Sequence, residues 1–112
     1  MNSPMEKLKN IAESLDCPYA IHEYIGESDK FCAYEISGFE GAAYADNRAQ
    51  EHITRARLCY TQPSSQSYMD VLWKIIDAFV DAGFTEPDIV VSYGNHYTTL
   101  DFSAEIVVEK EE

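Results

Sequence analysis

Basic residues are scarce in this chain of 112: eight lysines and arginines stand against twenty aspartates and glutamates, a formal charge of −12. A surface of that sign repels a phosphate backbone, which argues against nucleic acid as a direct ligand. Cysteine is scarce too. The three present, Cys17, Cys32 and Cys59, are widely spaced and form no CxxC, a pattern that suits a reducing compartment better than a disulfide framework. His22, His52 and His96 have no histidine at i+4 and no cysteine at zinc-ligand spacing, so no metal site is expected. A glycine-rich phosphate loop, a nucleophile elbow and a P-loop lysine are all missing, and the carboxylates are scattered rather than convergent. No enzyme and no cofactor are expected. No apolar run approaches the roughly 18 residues of a membrane span, and the opening MNSPMEKLKN has none resembling a signal peptide. A soluble intracellular product is the expectation.

What the chain does have is clear periodicity, strongest over residues 67–82, SYMDVLWKIIDAFVDA. Tyr68, Val71, Leu72, Ile75, Ile76 and Phe79 recur at the one-face spacing of an amphipathic helix, with Ser64, Ser65 and Ser67 as N-cap candidates and Gly83 as the stop. A second apolar row, Met69, Trp73, Ile76 and Val80, makes the helix wider than one sheet face needs. Either another helix lies alongside it, or Trp73 anchors a contact with another chain. A first helix is predicted over residues 4–15, where Ser3 caps, Pro4 opens and Glu6 completes a capping box.

Between the helices, residues 19–24 and 31–37 read as strands joined by a turn-rich stretch, a hairpin in appearance. Residues 38–50, GFEGAAYADNRAQ, have two glycines and no period, and read as a long loop carrying Phe39 and Tyr44. These rings either fold back on the core or meet a partner. Residues 51–60 form a strand with Ile53, Arg55, Arg57 and Cys59 on one face and His52, Thr54, Ala56, Leu58 and Tyr60 on the other. All three arginines, Arg48, Arg55 and Arg57, fall in this loop and strand. They either pair with carboxylates of the same molecule, Asp101 and Glu105 among them, or reach another chain. Residues 88–93 and 97–109 close the chain as a hairpin about Gly94 and Asn95, with Lys110, Glu111 and Glu112 expected to fray. The expected fold is α+β in two layers, a mostly antiparallel sheet of about five strands with two helices on one face, in the order α-β-β-β-α-β-β. A single domain spans residues 1–112.

The order of elements, with Ala45, Asp46 and Asn47 before the strand HITRARLCY, Gly83 and Phe84 closing the second helix, and His96, Tyr97 and Phe102 in the last hairpin, resembles the small tail-terminator or tail-completion proteins of long-tailed phages and prophages. The resemblance covers the whole chain through order and short words. It implies a non-enzymatic structural protein of virion assembly, made in the bacterial cytoplasm and ending at the head-proximal end of the tail. Copies would form a ring, commonly a hexamer, that ends tube polymerisation and supports head-tail joining. Its partners would be itself, the major tail-tube protein and a head-completion or connector protein. Phe39, Tyr44, Asp46, Asn47, Arg48, Arg55, Arg57 and Trp73 are the candidate interface residues. From the charge alone, a second reading is a small acidic inhibitor, immunity- or antitoxin-like, that binds a basic protein.

Overall fold

The computed structural model describes residues 3–45 and 48–109, giving the backbone alone for 42–45, 48–50 and 109. Seven elements follow one another: α1 (Pro4–Glu13), β1 (Tyr19–Ile21), β2 (Phe31–Ala45), β3 (Arg48–Pro63), α2 (Met69–Asp81), β4 (Asp88–Tyr93) and β5 (Tyr97–Glu109). The strands make one sheet in the order β1-β2-β3-β5-β4, antiparallel throughout except for β1 beside β2. This is the α+β architecture expected, in the expected order.

The helices start and stop for local reasons. Ser3 Oγ accepts the Glu6 amide at 3.2 Å and Pro4 occupies the first turn of α1, satisfying one of the amides a helix start leaves free. At the far end of α2, Gly83 takes φ +97°, and the Phe84 amide bonds the Phe79 carbonyl at 3.0 Å, a left-handed stop that glycine adopts without steric cost. None of the serines expected to cap α2 takes the cap position, though Ser67 Oγ accepts the Met69 amide at 3.5 Å. Tyr68 holds the cap position without a side-chain bond, because the chain from Pro63 is used differently: Gln62 Nε2 donates to the Gln66 carbonyl at 2.9 Å and the Gln66 amide to Pro63 O at 3.2 Å.

Both helices cover the same face of the sheet. Leu8, Ile11 and Ala12 from α1, Leu15 in the turn after it, and Ile75, Ile76 and Phe79 from α2 meet Cys32, Tyr34, Ala56, Leu58, Tyr60, Leu100, Phe102 and Ala104, all buried. On β3 and β5 these are the even-numbered positions, as the pleat requires. Two lysines tie the helices together: Lys74 Nζ donates to Ser14 O at 2.5 Å, and Lys7 Nζ to Ala82 O at 2.6 Å. The second places a cation at the carbonyl end of α2, where the helix dipole favours it.

Two expectations are corrected. Residues 19–24 and 31–37 do not form a hairpin, since Tyr19, Ala20 and Ile21 run parallel to Cys32, Ala33 and Tyr34. His22, at φ 66°, turns the chain out of β1, and residues 23–30 carry it back to the start of β2, held by Tyr24 stacked on Phe31 at 4.7 Å between centroids. The connection, residues 22–30, is shorter than the dozen or more that parallel strands usually need, and it suffices because β1 is only three residues long. Residues 38–45 and 48–50 are not a loop either. They are the distal half of an antiparallel hairpin in which β2 and β3 pair from Phe31↔Thr61 to Ala45↔Arg48, with one shift of register between Ile36 and Gly38. The frayed end expected at 110–112 and the Asp46 and Asn47 positions lie outside the described residues. No helix of the described residues is long and apolar enough to cross a membrane.

Candidate functional site

A bulge between Ile36 and Gly38 decides how the hairpin presents its side chains. Ser37 is the extra residue, so Gly38 falls opposite Arg55 and Glu40 joins the face without helices. Gly38 leaves room for the Arg55 guanidinium, which reaches Glu40 Oε2 at 2.7 Å and Glu105 Oε2 at 3.4 Å. One pair along β3, Arg57 grips both oxygens of Asp101, with Nη2 to Oδ2 at 2.6 Å and Nε to Oδ1 at 2.9 Å, and lies 3.6 Å from Glu35. Each arginine thus bridges its two neighbouring strands. The Asp101 hydrogen bonds push the Arg57 guanidinium above its ordinary pKa. Of the two roles open to these arginines, pairing within the molecule is what Arg55 and Arg57 do. Reversing their charge would crowd Glu35, Glu40, Asp101 and Glu105 with more carboxylates, so such variants perturb the sheet as well as any contact outside it.

The hairpin continues past the helical layer as an arm. Gly83, at the end of α2, packs beside Ile106. Beyond that level β3 keeps β5 as far as Glu51↔Glu109, and then β2 and β3 go on alone to Ala45↔Arg48. The described structure measures 54 Å along its long axis against 23 and 22 Å across. Phe39 on this arm is 69 % exposed and Val107 is 56 % exposed, so Phe39 does not fold back on the core. Tyr44 and Arg48 stand on the arm's two strands near its tip, paired in register with Ala49 and Ala45.

Trp73 lies on α2 with 56 % of its surface exposed, between Met69 and Val80 at 48 % each. Helix α1 does lie alongside α2, but on the Lys74 flank, and leaves the Trp73 flank uncovered. The excess apolar width of α2 is legible in the sequence, but the place of α1 is not, because the side it takes is set by Lys7 and Lys74 reaching backbone carbonyls far away in the chain.

Two shallow depressions of about 250 and 380 Å³ lie along the β5 edge. The first is bordered by Arg55, Glu86, Asp88 and Glu105, the second by Ile53, Gly83, Ile106 and Val107. Among the described residues no three His, Cys, Asp or Glu side chains converge as metal ligands would. The thiols are held in their protonated state. Burial raises Cys17, takes Cys59 up to about 11 and lifts Cys32 further still, while the buried Tyr60 phenol rises to about 12.

Those shifts predict alkaline weakening. In the unfolded chain the thiols titrate near 9.0 and the phenol near 10.0, so between these values and the raised ones the folded chain binds more protons. Stability is whole below about pH 9 and falls as pH rises toward about 11, by up to about 1.4 kcal/mol per unit for each fully buried group. Urea midpoints should drop between about pH 8 and 10.5, and Cys32→Ala should flatten the decline. A midpoint constant over that interval would contradict it.

No protein-family model matches the chain, and no curated protein sequence matches it significantly.

Proposed function

We propose that this chain is a non-enzymatic assembly protein of a long-tailed phage or prophage, a terminator-like subunit. It forms a ring, commonly a hexamer, at the head-proximal end of the tail tube, ends tube polymerisation and supports joining to the head. The observation that carries the reading is the β2–β3 arm. A strand pair that outruns its helices cannot bury both faces against its own core, and a two-stranded ribbon alone is marginally stable in water. Such an arm gains its burial from another chain. In a ring each subunit offers one patch to its neighbour and receives a different one, and an arm reaching beyond the body supplies the first of these. The element order α-β-β-β-α-β-β is that of the proteins the sequence resembles.

The arm also redistributes the candidate residues. Phe39, with Tyr44 and Arg48 nearer the tip, belongs to the surface for the neighbouring subunit or the tube protein. Arg55 and Arg57 act chiefly as its internal bracing, through the ion pairs to Glu40, Glu105 and Asp101. A net charge of −12 suits a channel that DNA must pass, since like charge discourages the duplex from adhering.

Electron microscopy of a lysate from the parent element, with this gene deleted, tests the reading. Free tail tubes of irregular length beside tailless, DNA-filled heads are expected. Tubes of normal length left unjoined would move the protein to the head-completion step, and intact virions would overturn the proposal.

A further inference from the structure

Helix α2 carries two parallel rows that its own chain leaves uncovered. One is apolar, Met69, Trp73 and Val80, each about half exposed, with the nearly buried Ile76 at its inner border. At 100° per residue these side chains span about 60° of the helix surface. The second row is Asp70, Asp77 and Asp81, all exposed, and it borders the first on the side away from the sheet. The cation that could neutralise it is Lys74, one turn from Asp70 and from Asp77, but its ammonium is committed to the Ser14 carbonyl at 2.5 Å. None of the three aspartates makes an ion pair within the described residues.

We propose that this flank of α2 is a docking surface for a basic amphipathic segment of another protein, whose apolar side chains cover Trp73 and its neighbours while its lysines or arginines meet the aspartate row. Charge complementarity selects that occupant. A second copy docking by the same face would set three aspartates against three, and the chain has few cations to offer instead. Lys7 and Lys74 are bound to backbone carbonyls and Arg55 and Arg57 are in ion pairs, which leaves Lys9 and Lys30 among the described side chains, one on α1 and one in the connection before β2, neither on this face. An anionic membrane or a nucleic acid is repelled for the same reason. Trp73 at the centre is the residue type that most often anchors such contacts, and helix-against-helix docking by an apolar row with charged borders is a recurrent recognition mode. The inference does not rest on the ring reading, because it concerns the helical layer and not the arm.

Trp73 is the sole tryptophan, so the full chain reports on its own surface. The probe is a synthetic amphipathic peptide of about 18 residues, leucine on one face and lysine on the other, titrated while Trp73 emission is followed. A saturable blue shift is expected, weakening about tenfold or more as salt is raised from roughly 50 to 500 mM. The triple change Asp70→Asn, Asp77→Asn, Asp81→Asn should weaken binding about tenfold, whereas Glu23→Gln, Glu27→Gln, Asp29→Asn, in an exposed loop elsewhere, should leave it within about twofold. Val80→Lys should abolish the shift. Equal binding of a peptide with glutamate in place of lysine, or equal loss from the two triple variants, would overturn the proposal as general stickiness or bulk charge. A blue shift that grows with protein concentration alone would overturn it in favour of a second copy.

Discussion

Phe79→Ala is expected to remove about 3–5 kcal/mol of unfolding free energy, the usual range for deleting a ring from a well-packed interior. A domain of this kind has about 5–15 kcal/mol in total, so the variant should be partly unfolded at physiological temperature. Phe79 has no exposed surface, stacks near Phe102 at 6.2 Å between centroids and meets Phe84 edge-on at 5.2 Å. It joins three elements: its own helix, the turn that ends the helix at Gly83, and the central region of β5. Removing it leaves a cavity bounded by a helix, a turn and a sheet, none of which can move inward without breaking pairing elsewhere, and that rigidity places the cost at the upper part of the range. Urea unfolding followed by circular dichroism gives the number directly. Phe39→Ala is the internal comparison, because that ring is 69 % exposed and its loss should cost no more than about 0.5 kcal/mol. Equal costs for the two would mean that the arm is packed against the body and that the core has been misplaced.

The contrast between these two phenylalanines also marks how far neighbouring residues dictate local structure in this chain. Around Phe79 every local signal agrees. The 3.6-residue period of α2, the strict alternation of β5 and the stop at Gly83 each follow from the chain within a dozen residues, and the observed elements match those signals closely. Around Phe39 they do not agree. Gly38, Gly41, Ala42 and Ala43 have poor strand preference, and the bulge at Ser37 shifts the alternation by one, so no period is visible on either side of it. The segment is a strand because β3 pairs with it residue by residue, information held some fifteen residues away. The direction of β1 is hidden for a related reason. Glycine, serine and aspartate in residues 23–30 mark a turn without saying whether the chain comes back beside itself or returns to its starting level, and the observed ladder from Cys32 N to Pro18 O and from His22 N to Tyr34 O fixes the second.

The candidate site divides in the same way. The face shared by Arg55, Arg57, Asp101 and Glu105 follows from alternation alone, and two of the expected partnerships, Arg57 with Asp101 and Arg55 with Glu105, are present. Glu35 and Glu40 do not follow from alternation, the first because its place depends on which strands pair and the second because the bulge puts it on that face. Exposed ion pairs of this kind contribute little each, about 0–1 kcal/mol. Their importance lies in geometry: the two arginines cross-link β2, β3 and β5 just where the helices end, and so hold the arm in line with the body.

Shortening the arm should therefore separate assembly from folding. Replacing residues 40–53 by Asn-Gly leaves Phe39↔Thr54 as the last cross-strand pair before a two-residue turn, a connection that suits the twist of antiparallel strands. The body keeps every buried residue of its core cluster. What it loses is the Arg55–Glu40 bridge and the partner of the last positions of β5, so the expected loss is about 1–2 kcal/mol, and the midpoint of thermal unfolding should fall by roughly 4–16 °C. The far-ultraviolet spectrum should show less strand and unchanged helix. If the arm carries the subunit or tube contact, the shortened protein will remain folded and fail to restore normal tails to an element lacking the gene, a loss of several orders of magnitude in infectious particles rather than a graded decline. A folded, shortened protein that restores normal tails would remove the arm from the assembly surface. The α2 flank, where exposed Trp73 lies beside Asp70, Asp77 and Asp81, would then be left as the main candidate.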